Sequence, residues 1–138
     1  MANKDCLFCK IAAKEINSAT IYEDENAMAF LDVHPLAPGH AIVIPKIHAE
    51  NILDLSDELI GPIFKAVKNV TSLLKEKLGP KGFTIGINHG SISGQSMNHL
   101  HIHVIPRFEG DGGGSIHSVV KNPPKESLEE IKLKIVSN

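Results

Sequence analysis

Apolar and polar positions fall into two periods along this chain, and the switches between them mark out its elements. The stretches TIYE (20–23), AMAFLDV (27–33) and HAIVIP (40–45) are short, rich in β-formers and bounded by turn residues, as strands require. The acidic turn DEN (24–26) parts the first two, and the loop HPLAPG (34–39) parts the second from the third. From Ser56 to Leu78 the rhythm changes: Ile60, Ile63, Val67, Val70, Leu74 and Leu78 recur every three or four residues, the spacing of one helical face. Gly79 and Pro80 end that helix, while Pro62 requires either a start nearer Gly61 or a bend. Two further strands follow, GFTIGIN (82–88) and NHLHIHVIPR (98–107), around the loop HGSISGQSM (89–97). At the start, CLFCKIAAKE (6–15) places Leu7, Ile11 and Phe8 on one side of a short helix. At the end, the glycines of GDGGGS (110–115) let the chain move before a short amphipathic tail.

The sum is an α+β fold with about five antiparallel strands in a meander-like sheet, one long helix and one or two short ones. There are no repeats and no second core, so residues 1–138 read as one domain, with the motif-bearing part at about 5–107 and a tail at 108–138. At 138 residues and 42% apolar content, such a domain buries roughly two-thirds of its unfolded surface. A net charge of -2, one Tyr and no Trp supply neither the basic field nor the stacking surface that a nucleic-acid polymer requires. No apolar run approaches a membrane span, and MANKDCLFCK lacks the order of a secretory signal, so a soluble, cytoplasmic protein is expected. Two cysteines three apart exclude a disulfide framework and leave metal or redox chemistry open.

The alternation in NHLHIHVIPR carries the chemistry. In a strand, His99, His101 and His103 share one face, roughly 7 Å apart along the chain, while Leu100, Ile102 and Val104 share the other. A half-buried strand also alternates, but three imidazoles in register are unusual for one. Three histidines could hold a zinc whose bound water attacks, although their even spacing exceeds what bonds of roughly 2 Å to one ion permit. Alternatively, one imidazole attacks phosphorus while its neighbours orient it and protonate the leaving group, work that suits a side chain titrating near neutrality.

This row, with CLFCKI, AFLDV, PGHAIVIPKIH and GQSMNHLHIHVIPR, resembles the signature of the histidine triad (HIT) family, and in particular its Hint-like branch. The resemblance implies hydrolysis or nucleotidyl transfer at the α-phosphate of a purine nucleotide through a nucleotidyl-histidine intermediate, in a homodimer sharing a continuous sheet. It makes His101 the nucleophile, His103 the phosphate contact and His40 its support, with Ser96 beside the leaving group. Gly94, Gln95 and Asn88 are implied at the phosphate, and Asp32 on the ribose hydroxyls, a task for two acceptor oxygens. Phe8, Ile11, Phe30, Leu31, Val33 and Ile42 are implied as the wall around the base, positions that core packing explains nearly as well.

The Cys6/Cys9 pair reads as buried small residues, a redox couple or half a zinc site; a redox helix lacks the preceding strand it would need. In the branch of the family with an N-terminal C-x-x-C, the resemblance completes the site with His48 and His99: one structural zinc per chain, closed to substrate. His34, His89 and His117 have no such partners and read as surface residues. A purine nucleoside phosphoramidase is the leading expectation. HVIPRFEGDGGG also resembles the Fhit-like branch, so a dinucleoside polyphosphate hydrolase is an alternative, and a non-catalytic nucleotide-binding module is another.

Overall fold

A computed structural model describes residues 3–137. The chain runs α1 (Leu7–Ala12), β1 (Thr20–Glu23), β2 (Ala27–Leu31), β3 (Ala41–Pro45), α2 (Asp57–Leu78), β4 (Gly82–Gly86), β5 (Ile102–Arg107) and α3 (Leu128–Val136). The five strands form one antiparallel sheet in the order β1-β2-β3-β5-β4. The first three follow one another as a meander. α2 then carries the chain to the far edge, and β5 returns between β3 and β4. In the register, Ile42 faces His103 on one side and Gly86 faces it on the other.

Each sheet face is covered by a helix. Behind lie Ala27, Ala29, Ala41, Val43, Ile102 and Val104, packed against Ile63, Ala66, Val67, Val70 and Leu74 of α2. The alanines of β2 and β3 leave room for the helix, and each fully buried Ile, Val or Leu contributes about 1.5–3 kcal/mol. In front, Met28, Phe30, Ile42 and Ile44 pack with Phe8 and Ile11 of α1. The acidic turn is tied by Asp24, whose Oδ1 accepts from the N–H groups of Asn26 and Ala27, each at 2.8 Å.

α2 starts at Asp57, so Pro62 lies inside it. The proline removes the bond that an N–H at 62 would give to the Glu58 carbonyl, one turn from an exposed helix start where water can replace it. The helix ends at Gly79, whose φ of 63° is the left-handed cap that glycine adopts without a Cβ penalty.

Two expectations shift. Regular pairing of the histidine strand begins at Ile102 rather than 98, and Leu100 instead donates its N–H to the Ala49 carbonyl at 2.7 Å. The glycine-rich segment after Arg107 is pinned rather than loose. Arg107 Nε and Nη2 donate to the two oxygens of Asp111 at 2.7 and 3.0 Å, and its Nη1 donates to Thr84 Oγ1 at 3.0 Å and the Gly114 carbonyl at 2.6 Å. α3 carries a capping box between Ser127 and Glu130. No helix among the described residues is long and apolar enough to cross a membrane.

Candidate active site and metal centre

The three histidines share a face, as their spacing predicts, and differ in what holds them. His101 is 6% exposed, and its Nδ1 lies 2.8 Å from the His99 backbone carbonyl. A carbonyl only accepts, so Nδ1 carries the hydrogen and the Nε2 lone pair is left free. The Phe8 ring sits edge-on to it, with centroids 5.3 Å apart, and His103 packs on it at 5.1 Å. α1 and β5 together therefore fix the ring plane.

A second chain of hydrogen bonds joins two more rings. The Leu36 N–H donates to His40 Nδ1 at 3.1 Å, and His40 Nε2 lies 2.9 Å from His103 Nδ1. Because the first acceptor must be bare, His40 carries its hydrogen on Nε2 and donates it to His103. His103 then carries its own on Nε2, ready to donate to an anion. Burial lowers the pKa of His40 against the opposing pull of the Asp32 carboxylate, whose Oδ2 lies 3.5 Å from Nε2. Burial, assisted by His101 and His40, brings His103 down to about 4. Both rings are therefore neutral at physiological pH.

The expected metal set is brought together from three parts of the chain. Cys6 and Cys9 come from the start of α1, His48 from the segment after β3 and His99 from the approach to β5, and their donor atoms all lie within 4.8 Å of one another. Cys6 Sγ is 3.2 Å and Cys9 Sγ 3.5 Å from His99 Nδ1, while Cys9 Sγ is 3.3 Å from His48 Nδ1. Tetrahedral ligands with ordinary Zn–S and Zn–N bonds stand about 3.5 Å apart, so the set is positioned to bind a metal ion. His99 is fully buried, and its Nε2–H donates to the Pro45 carbonyl at 2.9 Å, which aims the bare Nδ1 at the thiols. Burial pushes the Cys9 thiol up and His99 down to about 4, so His99 presents a bare nitrogen at neutral pH, while a metal ion would have to displace the Cys9 proton.

The other predicted residues divide. Asp32 caps the β2 end, its N–H bonded to the His40 carbonyl at 2.9 Å and its Oδ1 accepting from the His34 N–H at 2.8 Å. Asn88 lines a cavity of about 480 Å³ with His40 and His103. Ser96 is exposed on the neighbouring loop. Gln95 holds that loop shut: its Oε1 accepts from the Gly90 N–H, and its Nε2 donates to the carbonyls of Glu50 and Met97. The Gly94 N–H is engaged with Ser91, so neither group points an idle donor outward. Phe8, Ile11, Phe30 and Ile42 are packed in the front core, whereas Leu31 is partly open and Val33 is 85% exposed beside Asp32. His34, His89 and His117 stand apart from both histidine clusters.

Sequence reading passed over Arg107 and Asp111. Their i,i+4 spacing after the histidine row was the available signal, but nothing in it told that the pair folds a glycine segment over the site.

An antiparallel sheet with a histidine row leading along β5, a fourth histidine hydrogen-bonded to the row's last ring and a Cys2His2 cluster that includes the row's first histidine defines the class. The family described as HIT domain matches residues 13–110, and the chain belongs to it. It is 44% identical over 128 residues to an uncharacterized HIT-like protein of Methanocaldococcus jannaschii, covering 92% of this chain and 98% of that protein. It is 40% identical over 102 residues to an adenosine 5′-monophosphoramidase of Schizosaccharomyces pombe, covering 74% of each. A HIT family protein of Bacillus anthracis with a solved structure superposes with a TM-score of 0.84 at 37% identity, over 97% of this chain and 94% of that one.

Proposed function

We propose that this chain hydrolyses purine nucleoside 5′-phosphoramidates through a nucleotidyl-His101 intermediate. The observation that carries the reading is the His101 tautomer: its Nδ1–H is committed to the His99 carbonyl, which presents Nε2 as a nucleophile. In the first step Nε2 bonds to phosphorus and the P–N bond breaks. The departing amine takes a proton from solvent at the exposed end of the site, with the Ser96 hydroxyl offering the path. Water then bonds to phosphorus, the N–P bond breaks, and the water proton leaves to solvent, which restores neutral His101. His103 Nε2–H, relayed from His40, donates to the non-bridging oxygens as charge gathers there. Asp32 takes the ribose hydroxyls, and the front apolar residues beside it take the base.

The Cys6, Cys9, His48 and His99 set is read as a structural zinc site, since all four positions are protein ligands and none is open for chemistry. Zinc there would supply cross-linking between α1 and the histidine row. Two free thiols in that set suit a reducing compartment, the cytoplasm, and a cell fractionation finding the protein outside it would remove that assignment. The chain is also read as a homodimer that continues the sheet across β4.

The similarity to the S. pombe phosphoramidase supports the reaction class. The test is hydrolysis of adenosine 5′-phosphoramidate by the wild type and by His101→Ala. A loss of about 10³-fold or more in kcat, with no labelled enzyme trapped in the variant, is expected. Turnover retained without His101 would overturn the covalent route.

A further inference from the structure

Asp32, His40 and His103 converge on one point, away from the Cys2His2 set. His40 Nε2 lies 2.9 Å from His103 Nδ1 and 3.5 Å from Asp32 Oδ2, and the three donor atoms all fall within 4.8 Å of one another. Tetrahedral nitrogen and oxygen ligands on one ion stand about 3.3 Å apart, so this spacing suits a shared cation as well as a hydrogen bond. The charge balance points the same way. Among the described residues, no lysine or arginine lies within ion-pairing distance of Asp32, whose one such partner is His40. A carboxylate that faces two neutral imidazoles and no cation attracts one. The donor set names its class: two imidazole nitrogens and one carboxylate oxygen suit zinc, nickel or copper, whereas magnesium and calcium require oxygen ligands.

The tautomers rank this site below the Cys2His2 set. There, the Pro45 carbonyl takes the His99 Nε2–H and leaves Nδ1 bare for an ion. Here, His103 already presents a bare Nδ1, but the Leu36 N–H donates to His40 Nδ1 and keeps that ring's hydrogen on Nε2, the atom facing Asp32 and His103. An ion therefore binds only when His40 moves its hydrogen to Nδ1 and the Leu36 bond breaks. Net protonation is unchanged: one ring N–H is lost, another forms, and three metal–ligand bonds replace two hydrogen bonds. Leu36 is 76% exposed, so water is at hand for its freed N–H. One backbone carbonyl thus holds the first site open, and one backbone N–H holds the second shut until an ion displaces it.

We infer that Asp32, His40 and His103 form a second site for a divalent transition ion of the zinc class, filled after the Cys2His2 set, and that its occupation excludes nucleotide. The site stands on its own geometry. The exclusion rests on the reading of Asp32 as the ribose carboxylate: its Oδ1 is held by the His34 N–H, and Oδ2 cannot serve an ion and the ribose hydroxyls together.

The experiment titrates the full chain, already loaded with zinc at the Cys2His2 set, with cobalt(II), whose absorption reports its ligands. A second ion per chain is expected, bound at least about 10³-fold more weakly than the first and without the thiolate-to-cobalt band that entry into the Cys2His2 set would produce. Asp32→Asn and His40→Gln each weaken it by about 10-fold or more and leave the first ion in place, whereas His34→Gln, at an exposed histidine nearby, leaves it unchanged. Ring ¹⁵N spectra of the wild type, which need no variant to fold, show the bare nitrogen of His40 pass from Nδ1 to Nε2 as zinc fills the site. Saturating AMP shifts the second binding curve to higher ion concentration, and zinc raises KM for adenosine 5′-phosphoramidate without lowering kcat. Magnesium does neither, and a magnesium effect of the same size overturns the assignment of ion class. No second ion up to about 1 mM, one retained in both variants, one lost in His34→Gln, or a His40 that keeps its Nε2–H at saturation overturns the site. A second ion that binds equally well beside AMP overturns the exclusion. Absence of turnover on the phosphoramidate, with the second ion bound as described, removes the catalytic reading and leaves the site standing.

Discussion

The backbone N–H of Leu36 decides where two side-chain hydrogens sit. By donating to His40 Nδ1 it forces the relay His40 Nε2–H to His103 Nδ1, and a proton added to His40 would have to oppose that N–H. The cost appears as a pH dependence of stability. His103 is lowered from 6.5 to about 4 by burial, and His40 is lowered from 6.5 in the same direction. Below pH 6.5 the unfolded chain binds protons that the folded pair refuses. The pair's contribution is therefore complete above about pH 6.5 and is lost as pH falls toward 4, by on the order of 3 kcal/mol for His103. Urea unfolding at pH 7, 5.5 and 4.5 reads this directly, and His103→Asn flattens the slope; a wild type equally stable at pH 7 and 4.5 would contradict the relay. His40 and His103 were both legible from their motifs. The Leu36 donor was not, because a loop backbone group carries no side-chain signature.

Among the elements, α1 depends most on its neighbours. Six residues are far too few for an isolated helix to persist, so its position comes from the packing of Phe8 on Phe30 and His101 and from the Cys6/Cys9 donors. Metal and helix should therefore rise and fall together. Protein purified without chelator is expected to hold one zinc per chain, and Cys9→Ala to lose it and melt several degrees lower. An unchanged melting temperature after complete metal removal would sever that link. The sequence pattern found all five strands and α2: α2 and β5 alternate a buried with a more open face, while β2 and β3, buried on both, read as short apolar runs bounded by turns. It extended β5 too far toward its start, since the bonds of residues 98–101 depend on the segment after β3, a long-range partner that local alternation cannot reveal. The clasp at Arg107 was hidden for a similar reason: glycines advertise permitted conformations, while the ion pair that selects one of them is set by a strand neighbour, Thr84, 23 residues away.

For the whole molecule, β4 leaves one edge of the sheet without a partner, and Ile85 on that strand is exposed. An open edge with apolar neighbours favours pairing with a second copy. Light scattering at tens of micromolar is expected to give twice the chain mass of 14.9 kDa; a stable monomer would remove the dimer. The alternation around the histidine row has a further consequence, for how such a chain can vary over generations. From His99 to Arg107, odd positions carry the three histidines and then the cavity-lining Ile105 and Arg107, while even positions pack toward α2, so a gain or loss of one residue within the run would exchange the two sets. Replacement of one side chain there is a graded injury, whereas a change in length empties the core and dismantles the site in a single event. Tolerated insertions and deletions are thereby displaced toward the exposed tail beyond the clasp, which lets the distant end of the chain diversify while the centre keeps its count.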